Sequence, residues 1–220
     1  MTSRLTPLSS WIWWSGEASP RNANLCFRKK VELPAKPERA LIRLSADSRY
    51  QLWINGRFVC RGPARYYPEH VCVDEIDIAP FLLTGANVLA IHVHHYGENT
   101  YDYIHIGQGG LALEGAAECG SRRIALGTDE MWKVARHPCW EPDTARLNTR
   151  LGFQELYDAR RAQGFAWTTA DFDDRSWMSA VRLPRDRIRW SGEEKRDVPF
   201  LIERFEPFAG VRSVQFVHSP

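Results

Sequence analysis

The clearest signal in this chain is a series of short runs in which apolar and polar residues alternate. Residues 39–45, for example, place Ala40, Ile42 and Leu44 on one face of an extended segment, as a half-buried strand requires. Similar runs, broken by glycine and proline, cover residues 25–33, 50–54, 57–60, 71–78 and 88–96. Short strands at such regular intervals are typical of an all-β sandwich or barrel.

Asn55 and Gly56 separate two β-rich runs and form the sharpest turn signal in the chain. Both residues tolerate the positive φ angles of a type I′ turn, so we expect a two-residue hairpin there. Trp53 alternates away from its apolar neighbours in the first run. Its side chain is expected either in a second packing layer or against a ligand.

Two further segments can be placed relative to the core. Residues 88–96 are apolar on both faces, which indicates a central strand. Near the N-terminus, Trp11, Trp13 and Trp14 stand close to Pro20, and we expect these aromatic rings to form a plug over the sandwich.

The second half of the chain carries weaker signals. Residues 111–114 and 123–126 predict a hairpin, and residues 128–134 predict another short strand. Residues 152–161 fit a helical face and a strand equally well, so their type stays open. Residues 171–177 are rich in aspartate, which predicts a capped turn or a single helical turn.

Composition narrows the class of protein and its partners. The chain has 220 residues, 44% of them hydrophobic and 25% charged, enough to bury a sizeable core in one large domain or two small ones. The 29 basic and 27 acidic residues leave a formal net charge of +2. No strong field of either sign is expected, which argues against a nucleic-acid partner.

The cysteines and the N-terminus suggest where the protein resides. The five cysteines are widely spaced with no CxxC pair, so free thiols in a reducing compartment are expected. Residues 1–10 contain no signal-peptide pattern, and no apolar stretch approaches the length of a membrane span. We therefore expect a cytoplasmic protein with no membrane partner.

An acidic run at residues 74–77 and a histidine-rich run at residues 92–95 are candidates for catalytic or metal sites. A glycosidase needs two carboxyl groups beside the glycosidic bond, but alternation sets Asp74 on the opposite face from Glu75 and Asp77, which favours salt bridges and no catalytic residue. His92 and His94 share a strand face next to His95, without an acidic or thiol partner at a diagnostic spacing. Packed or hydrogen-bonded histidines are expected, and no metal site is predicted.

Two loops combine aromatic rings with polar groups, as sugar recognition requires. The first loop contains Arg61, Arg65, Tyr66, Tyr67, Glu69 and His70. The second loop contains Tyr96, Glu98, Asn99, Tyr101, Asp102, Tyr103 and His105. We expect the loops to converge at one end of the sandwich, where they either bind a sugar or border an active site; packing against neighbouring domains is an equal alternative.

An ordered set of motifs resembles a known family. It comprises residues 46–56, 62–65, 74–82, 85–97, 128–132, 157–160 and 172–177. In this order they resemble the N-terminal region of bacterial α-L-rhamnosidases and, more loosely, the sugar-binding domain of β-galactosidase-like hydrolases. The resemblance covers most of residues 11–183.

The resemblance implies a galactose-binding-like jelly-roll β-sandwich over residues 1–183, with few short helical turns, and a connector over residues 184–220 toward a following domain. In the family the catalytic carboxylates lie in a later (α/α)6 barrel, for which this chain has no room. Some modules of this fold bind calcium, but no calcium loop of recognisable spacing occurs, so no cofactor is predicted.

Three functions therefore remain open. The resemblance favours a non-catalytic, carbohydrate-binding-type module of an α-L-rhamnosidase-like hydrolase, with rhamnoside-type carbohydrate and the other domains of the parent enzyme as partners. The alternatives are a free-standing carbohydrate-binding protein and a purely structural or interaction domain, which should expose an apolar patch where its partner docks.

Overall fold

The computed structural model describes residues 5–161, 164–204 and 206–215. Its strands are β1 (Trp11–Trp13), β2 (Ala23–Leu33), β3 (Leu41–Asp47), β4 (Arg49–Ile54), β5 (Arg57–Gly62), β6 (Cys72–Asp77), β7 (Gly85–His95), β8 (Gly110–Cys119), β9 (Arg122–Ala125), β10 (Lys133–Arg136), β11 (Met178–Ser179), β12 (Val181–Arg182) and β13 (Glu194–Lys195). Short 3-10 turns occupy Ala79–Phe81, Ala159–Arg161, Ala166–Thr168 and Arg185–Arg187.

These strands form two sheets. The seven-stranded sheet has the order β12-β1-β8-β3-β6-β13, with β9 paired to β8, and the six-stranded sheet has the order β11-β10-β2-β7-β4-β5. Apolar side chains from the inner faces of both sheets, such as Leu44, Leu113, Phe27 and Ile91, form one core. The predicted all-β jelly-roll sandwich is confirmed.

The two best local signals in the sequence are confirmed as well. Strand β7 lies between β2 and β4, the central position that its apolar faces predicted. Asn55 and Gly56 connect β4 to β5 with φ angles of 51° and 77°. The Asn55 side chain strengthens this turn, because its Oδ1 accepts a hydrogen bond of 2.9 Å from the Val88 amide on β7.

Some segments in the second half of the chain differ from their prediction. Residues 123–126 pair with the far end of β8, since Ala116 lies opposite Ala125 and the first half of β8 is occupied by β1 and β3. Residues 128–132 form a turn, and the strand begins only at Lys133. Residues 152–161, whose type the sequence left open, are neither a long helix nor a strand. Residues 171–177 contain turns at residue 171 and residues 175–176, as the aspartate-rich sequence predicted.

The tryptophans at the N-terminus do not form a plug over the sandwich. Trp11 and Trp13 belong to β1, a strand inside the seven-stranded sheet, and both side chains are almost fully buried. Trp11 stacks on Trp190 with ring centroids 4.2 Å apart. Because β1 pairs with both β8 and β12, these rings fill the core between the sheets instead of covering it.

Residues beyond 183 continue to contact the sandwich. Trp190 is buried on Trp11, and β13 extends the seven-stranded sheet by pairing in parallel with β6. The boundary at residue 183 and the role of residues 184–220 as a connector remain predictions. The contacts of Trp190 and β13 nevertheless show that part of this segment packs as closely as the strands before it.

A buried ion pair fastens β13 to the sandwich. Asp74 on β6 is fully buried, and Arg196 binds both of its carboxylate oxygens, Nε to Oδ1 at 2.5 Å and Nη2 to Oδ2 at 3.1 Å. The Tyr50 hydroxyl donates to Oδ2 of the same carboxylate. Burial, followed by the nearby Asp74 charge, raises the pKa of Tyr50, which keeps this donor protonated.

Replacement of Arg196 by methionine should lower the free energy of unfolding by about 3 kcal/mol, because it leaves the Asp74 carboxylate buried without its counter-charge. Urea unfolding followed by tryptophan fluorescence measures this. The neighbouring Lys195→Met variant is the matched control: Lys195 pairs with Glu75 at 2.6 Å on an exposed edge, and its loss should cost less than about 1 kcal/mol. Equal effects of the two variants would show that the buried pair does not fasten β13.

Candidate functional site

The outer face of the six-stranded sheet carries side chains in rows across β2, β7 and β4. Asn24, His94 and Arg49 lie opposite one another in one row. Cys26, His92 and Gln51 form the next row, and Arg28, Ala90 and Trp53 form the third. Each row combines one residue from each strand because side chains two apart on a strand share a face.

Half of this outer face is covered. Trp167 and its partly buried neighbours Phe172 and Trp177 pack over Trp53 and Ala90 in a second apolar cluster. Arg28 lies beneath them, fully buried, with its guanidinium bonded to the carbonyls of residues 167 and 169 and paired with Asp174. Trp53 therefore occupies the second packing layer, one of the two positions that the sequence left open.

The other half is an open cleft of about 520 Å³, which we call the outer cleft. Its floor is formed by Asn22, Asn24, Arg49, Gln51, His92 and His94. One wall comes from residues 140–155, including Trp140 and Phe153, and the other from residues 61–65 and 196–201. This volume falls within the range of small-molecule sites in proteins.

Hydrogen bonds order the floor of the outer cleft. The Asn22 side chain donates through Nδ2 to the Pro142 carbonyl at 3.1 Å and to Thr144 Oγ1 at 3.0 Å. This fixes the Asn22 amide so that Oδ1 faces His94 Nε2 at 2.9 Å. His94 Nε2 must therefore carry the proton, since an amide oxygen only accepts.

The histidines of the floor are neutral at physiological pH. Burial lowers the pKa of His92 to about 3, helped by the neighbouring His137 and His94. Burial and the Arg49 charge lower the pKa of His94 to about 4. A neutral His94 with its proton on Nε2 has a lone pair on Nδ1. Because Asn22 Oδ1 accepts the Nε2 proton, the group that remains for a ligand is this acceptor.

Aromatic rings border the outer cleft. Trp140 stacks near His92 at 6.5 Å between ring centroids and meets Tyr157 at 5.0 Å. Phe153 packs edge-on against the buried Tyr96 at 6.0 Å. These rings place apolar surface beside the polar floor.

Of the ten residues predicted to bind sugar, three line the outer cleft: Arg61, Arg65 and Asp102. Arg65 and Asp102 form an ion pair, so the two predicted loops meet here. Arg61 binds Glu203 in a bidentate pair at 2.7 Å and 2.6 Å.

The other seven predicted residues do not line this cleft. Tyr66 and Tyr96 are buried, and the Tyr66 hydroxyl donates to the Ala46 carbonyl. The rest lie on or near the surface: Tyr67 and Tyr101 are exposed, His70 pairs with Glu194, Glu98 pairs with Arg146, and Asn99 accepts from the His105 amide. A sugar-binding role for any of the ten stays a prediction.

The sequence pattern alone does not identify the floor of the outer cleft. His92 and His94 were noticed for their shared face and expected to be hydrogen-bonded, which they are. Asn24, Gln51 and Trp140 carried no motif of their own. The sequence signal for the floor is the alternation of side chains on β2, β4 and β7. Alternation shows which residues share a face of one strand, but only the strand pairing shows which residues of different strands lie side by side.

The carboxylates of β6 form salt bridges, as expected. Asp74 pairs with Arg196 and Glu75 pairs with Lys195. The histidine triplet is divided by the sheet, because His95 points to the opposite side from His92 and His94. His95 instead lies with Asp47 and His105, whose potential ligand atoms are all within 4.8 Å of one another.

Within the described residues, no helix is long and apolar enough to cross a membrane.

Two packed sheets, antiparallel except where β13 pairs with β6, define the class of jelly-roll β-sandwich domains. Comparison with known proteins identifies the family. The chain belongs to the α-L-rhamnosidase N-terminal domain family, whose model matches residues 35–198. The predicted resemblance is thus confirmed.

Relatives place this domain inside larger proteins. An α-L-rhamnosidase of Streptomyces avermitilis is 30% identical over 188 residues, which cover 77% of this chain and 17% of that protein. The crystal structure of a GH78 family rhamnosidase from Bacillus sp. GL1 is 37% identical with a TM-score of 0.78, covering 87% of this chain and 20% of that one. The chain therefore spans about a fifth of the length of these relatives.

The same fold occurs outside rhamnosidases. A lectin from Pleurotus ostreatus is 22% identical with a TM-score of 0.55, and the match covers 83% of this chain and 44% of that one. At this identity the likeness concerns the fold alone.

The free energy of unfolding should fall by about 2 kcal/mol for each of His92 and His94 as the pH is lowered from about 7 to about 5. Their folded-state pKa values of about 3 and 4 lie below the unfolded value of about 6.5. Between about pH 7 and pH 5 the unfolded chain therefore binds more protons than the folded chain. The stability that is present above this range is lost as the pH falls.

Urea titrations across this pH range measure the effect. A His92→Gln variant should lose the contribution of His92, about 2 kcal/mol of this fall, while keeping a polar group on the floor. Burial also lowers the pKa values of His105 and His137, so the variant should keep part of the pH dependence. A variant with the full wild-type pH dependence would contradict the assignment to these histidines.

Proposed function

We propose that the chain is the carbohydrate-binding module of an α-L-rhamnosidase and that the outer cleft is its sugar site. The observation that carries the proposal is the row formed by Asn24, His94 and Arg49, a set of fixed polar groups at the bottom of a cleft with aromatic walls. The module itself is non-catalytic in this proposal, and hydrolysis belongs to other domains of the parent enzyme.

The chemistry of this row suits hydroxyl groups. Sugar hydroxyls both donate and accept, so they bind best where donors and acceptors alternate. His94 Nδ1 is an acceptor, whereas the Asn24 amide nitrogen and the Arg49 guanidinium are donors. Among the described residues, Asn24 Nδ2 has no hydrogen-bond partner. The Arg49 guanidinium lies over the Tyr96 ring, 5.2 Å from its centroid, and forms no ion pair with a described residue. Both groups therefore keep N–H donors for a ligand.

The charge of the outer cleft favours a neutral ligand. Three of its arginines are already paired with carboxylates: Arg61 with Glu203, Arg65 with Asp102 and Arg196 with Asp74. Because His92 and His94 are neutral, they add no positive charge. A neutral glycoside such as a rhamnoside needs no charged partner, and its apolar ring face can lie against Trp140 or Phe153.

A second candidate function is docking to another domain. Apolar side chains are exposed along the last described segment: Val198, Leu201, Ile202, Phe208, Val211 and Val214. Exposed apolar residues in such a stretch are typical of a surface that contacts another protein unit. Val198 and Leu201 also line the outer cleft. The same wall of the cleft would therefore contact the docked domain and the bound sugar.

Calorimetric titration of the chain with L-rhamnose and with rhamnosides tests the sugar site. Arg49→Ala and His94→Leu should each weaken binding at least about tenfold, which is about 1.4 kcal/mol, because each removes one hydrogen-bonding group of the row. Arg49 is exposed, so its replacement should leave the fold intact.

Tyr101→Ala is the matched control, because Tyr101 is 70% exposed and lies outside the outer cleft. It should bind as the wild type does. Absence of heat with any rhamnoside at millimolar concentration would overturn independent sugar binding. Loss of binding in Tyr101→Ala with retention in Arg49→Ala would move the site to the predicted loops.

A further inference from the structure

A second polar cluster lies on the inner side of β7, at its C-terminal end. Asp47 at the end of β3 and His95 at the end of β7 are both buried, and His105 approaches from the following loop. His95 Nδ1 lies 2.9 Å from Asp47 Oδ1, and the other Asp47 oxygen accepts a hydrogen bond of 3.1 Å from the Trp190 indole. Ser19 stands between the two imidazole rings.

The protons in this cluster can be counted. The Asp47 carboxylate accepts from His95 Nδ1–H, which leaves a lone pair on Nε2 of a neutral ring. His105 Nε2 accepts from the Gly107 amide at 3.0 Å, so it carries a lone pair as well. Both Nε2 atoms face the Ser19 hydroxyl, at 3.3 Å from His95 and 2.6 Å from His105.

One hydroxyl proton cannot satisfy both nitrogens. If Ser19 donates to one ring, the other lone pair faces an oxygen with no proton between them. Three arrangements remove this conflict: a second proton on His95, balanced by Asp47; a proton on His105 Nε2 that is donated to Ser19; or a cation that accepts both lone pairs. Two imidazole nitrogens converging on one point, with a carboxylate behind one ring, match the ligand and outer-shell pattern of zinc sites.

The same residues contain a Ser-His-Asp order, but their geometry does not favour a nucleophile. A reactive serine needs open space where a carbonyl carbon can approach its oxygen. Here His105 Nε2 already lies 2.6 Å from Ser19 Oγ. The nucleophile position is therefore filled by a second base.

We propose that His95 and His105 bind a single zinc ion through their Nε2 atoms, with Asp47 orienting His95 and supplying negative charge. The Ser19 oxygen and water complete the coordination. Gly107 is exposed. When the ion occupies the His105 lone pair, the Gly107 amide can therefore donate its hydrogen bond to water instead. The partly exposed His105 gives the ion an entry path to otherwise buried ligands.

This site is independent of the outer cleft. His95 faces the core side of β7, whereas His92 and His94 face the opposite side. The ion would connect β3, β7 and two loops at one end of the sandwich, so binding should stabilise the fold as well as occupy the site.

Titration of the tag-free, metal-stripped chain with zinc chloride tests the proposal by calorimetry and thermal unfolding. The expected result is saturable binding of one equivalent with an increase in Tm. Long-range proton–nitrogen NMR of the imidazoles should show Nε2 resonances of His95 and His105 shifting on zinc addition, with those of His92 and His94 unchanged.

Variants distinguish ligation from adventitious binding. His105→Ala should abolish binding, and His105→Gln provides the same test if the alanine variant unfolds. Ser19→Ala should still bind zinc, although more weakly than the wild type, because both imidazole ligands remain and water can replace the Ser19 oxygen. His137→Ala is the control for a histidine outside the cluster. No saturable binding, equal binding by His105→Ala, or an NMR spectrum with both His95 nitrogens protonated at neutral pH and unmoved by zinc would each overturn the proposal.

Discussion

Alternation along strand β7 is the constraint on which the rest of this structure depends. The strand is buried between β2 and β4, so every side chain must suit either the core or the outer face. Leu89, Ile91 and Val93 enter the core, while His92 and His94 form the floor of the outer cleft. A shift of one residue in register would exchange these two sets, burying the imidazoles and exposing the aliphatic side chains.

The outer face of the sheet is divided by how its rows are covered. Over Trp53, aromatic side chains close the surface and enclose the Arg28 guanidinium, so this half contributes to stability. Over His94 the described residues form no such cover, and the polar groups line the outer cleft. The same sheet therefore supplies a packed half and an open half, and the rows of Trp53 and His94 are four strand positions apart.

The segment after residue 183 connects stability to the proposed sugar site. Arg196 enters the buried Asp74 pair and also lines the outer cleft. Trp190 packs on Trp11 and donates to Asp47, which belongs to the proposed zinc cluster. One segment therefore contributes side chains to the core, to the wall of the outer cleft and to the surroundings of Asp47.

The sequence by itself determined the all-β class, the Asn55–Gly56 hairpin and the central place of residues 88–96, since these follow from local periodicity and turn chemistry. The family followed from an ordered set of motifs. Only the tertiary structure decided which polar residues share a site. Asn24, His94 and Arg49 lie on three strands, and Asp47, His95 and His105 on two strands and a loop. Strand pairing, which depends on contacts between distant residues, brings each set together.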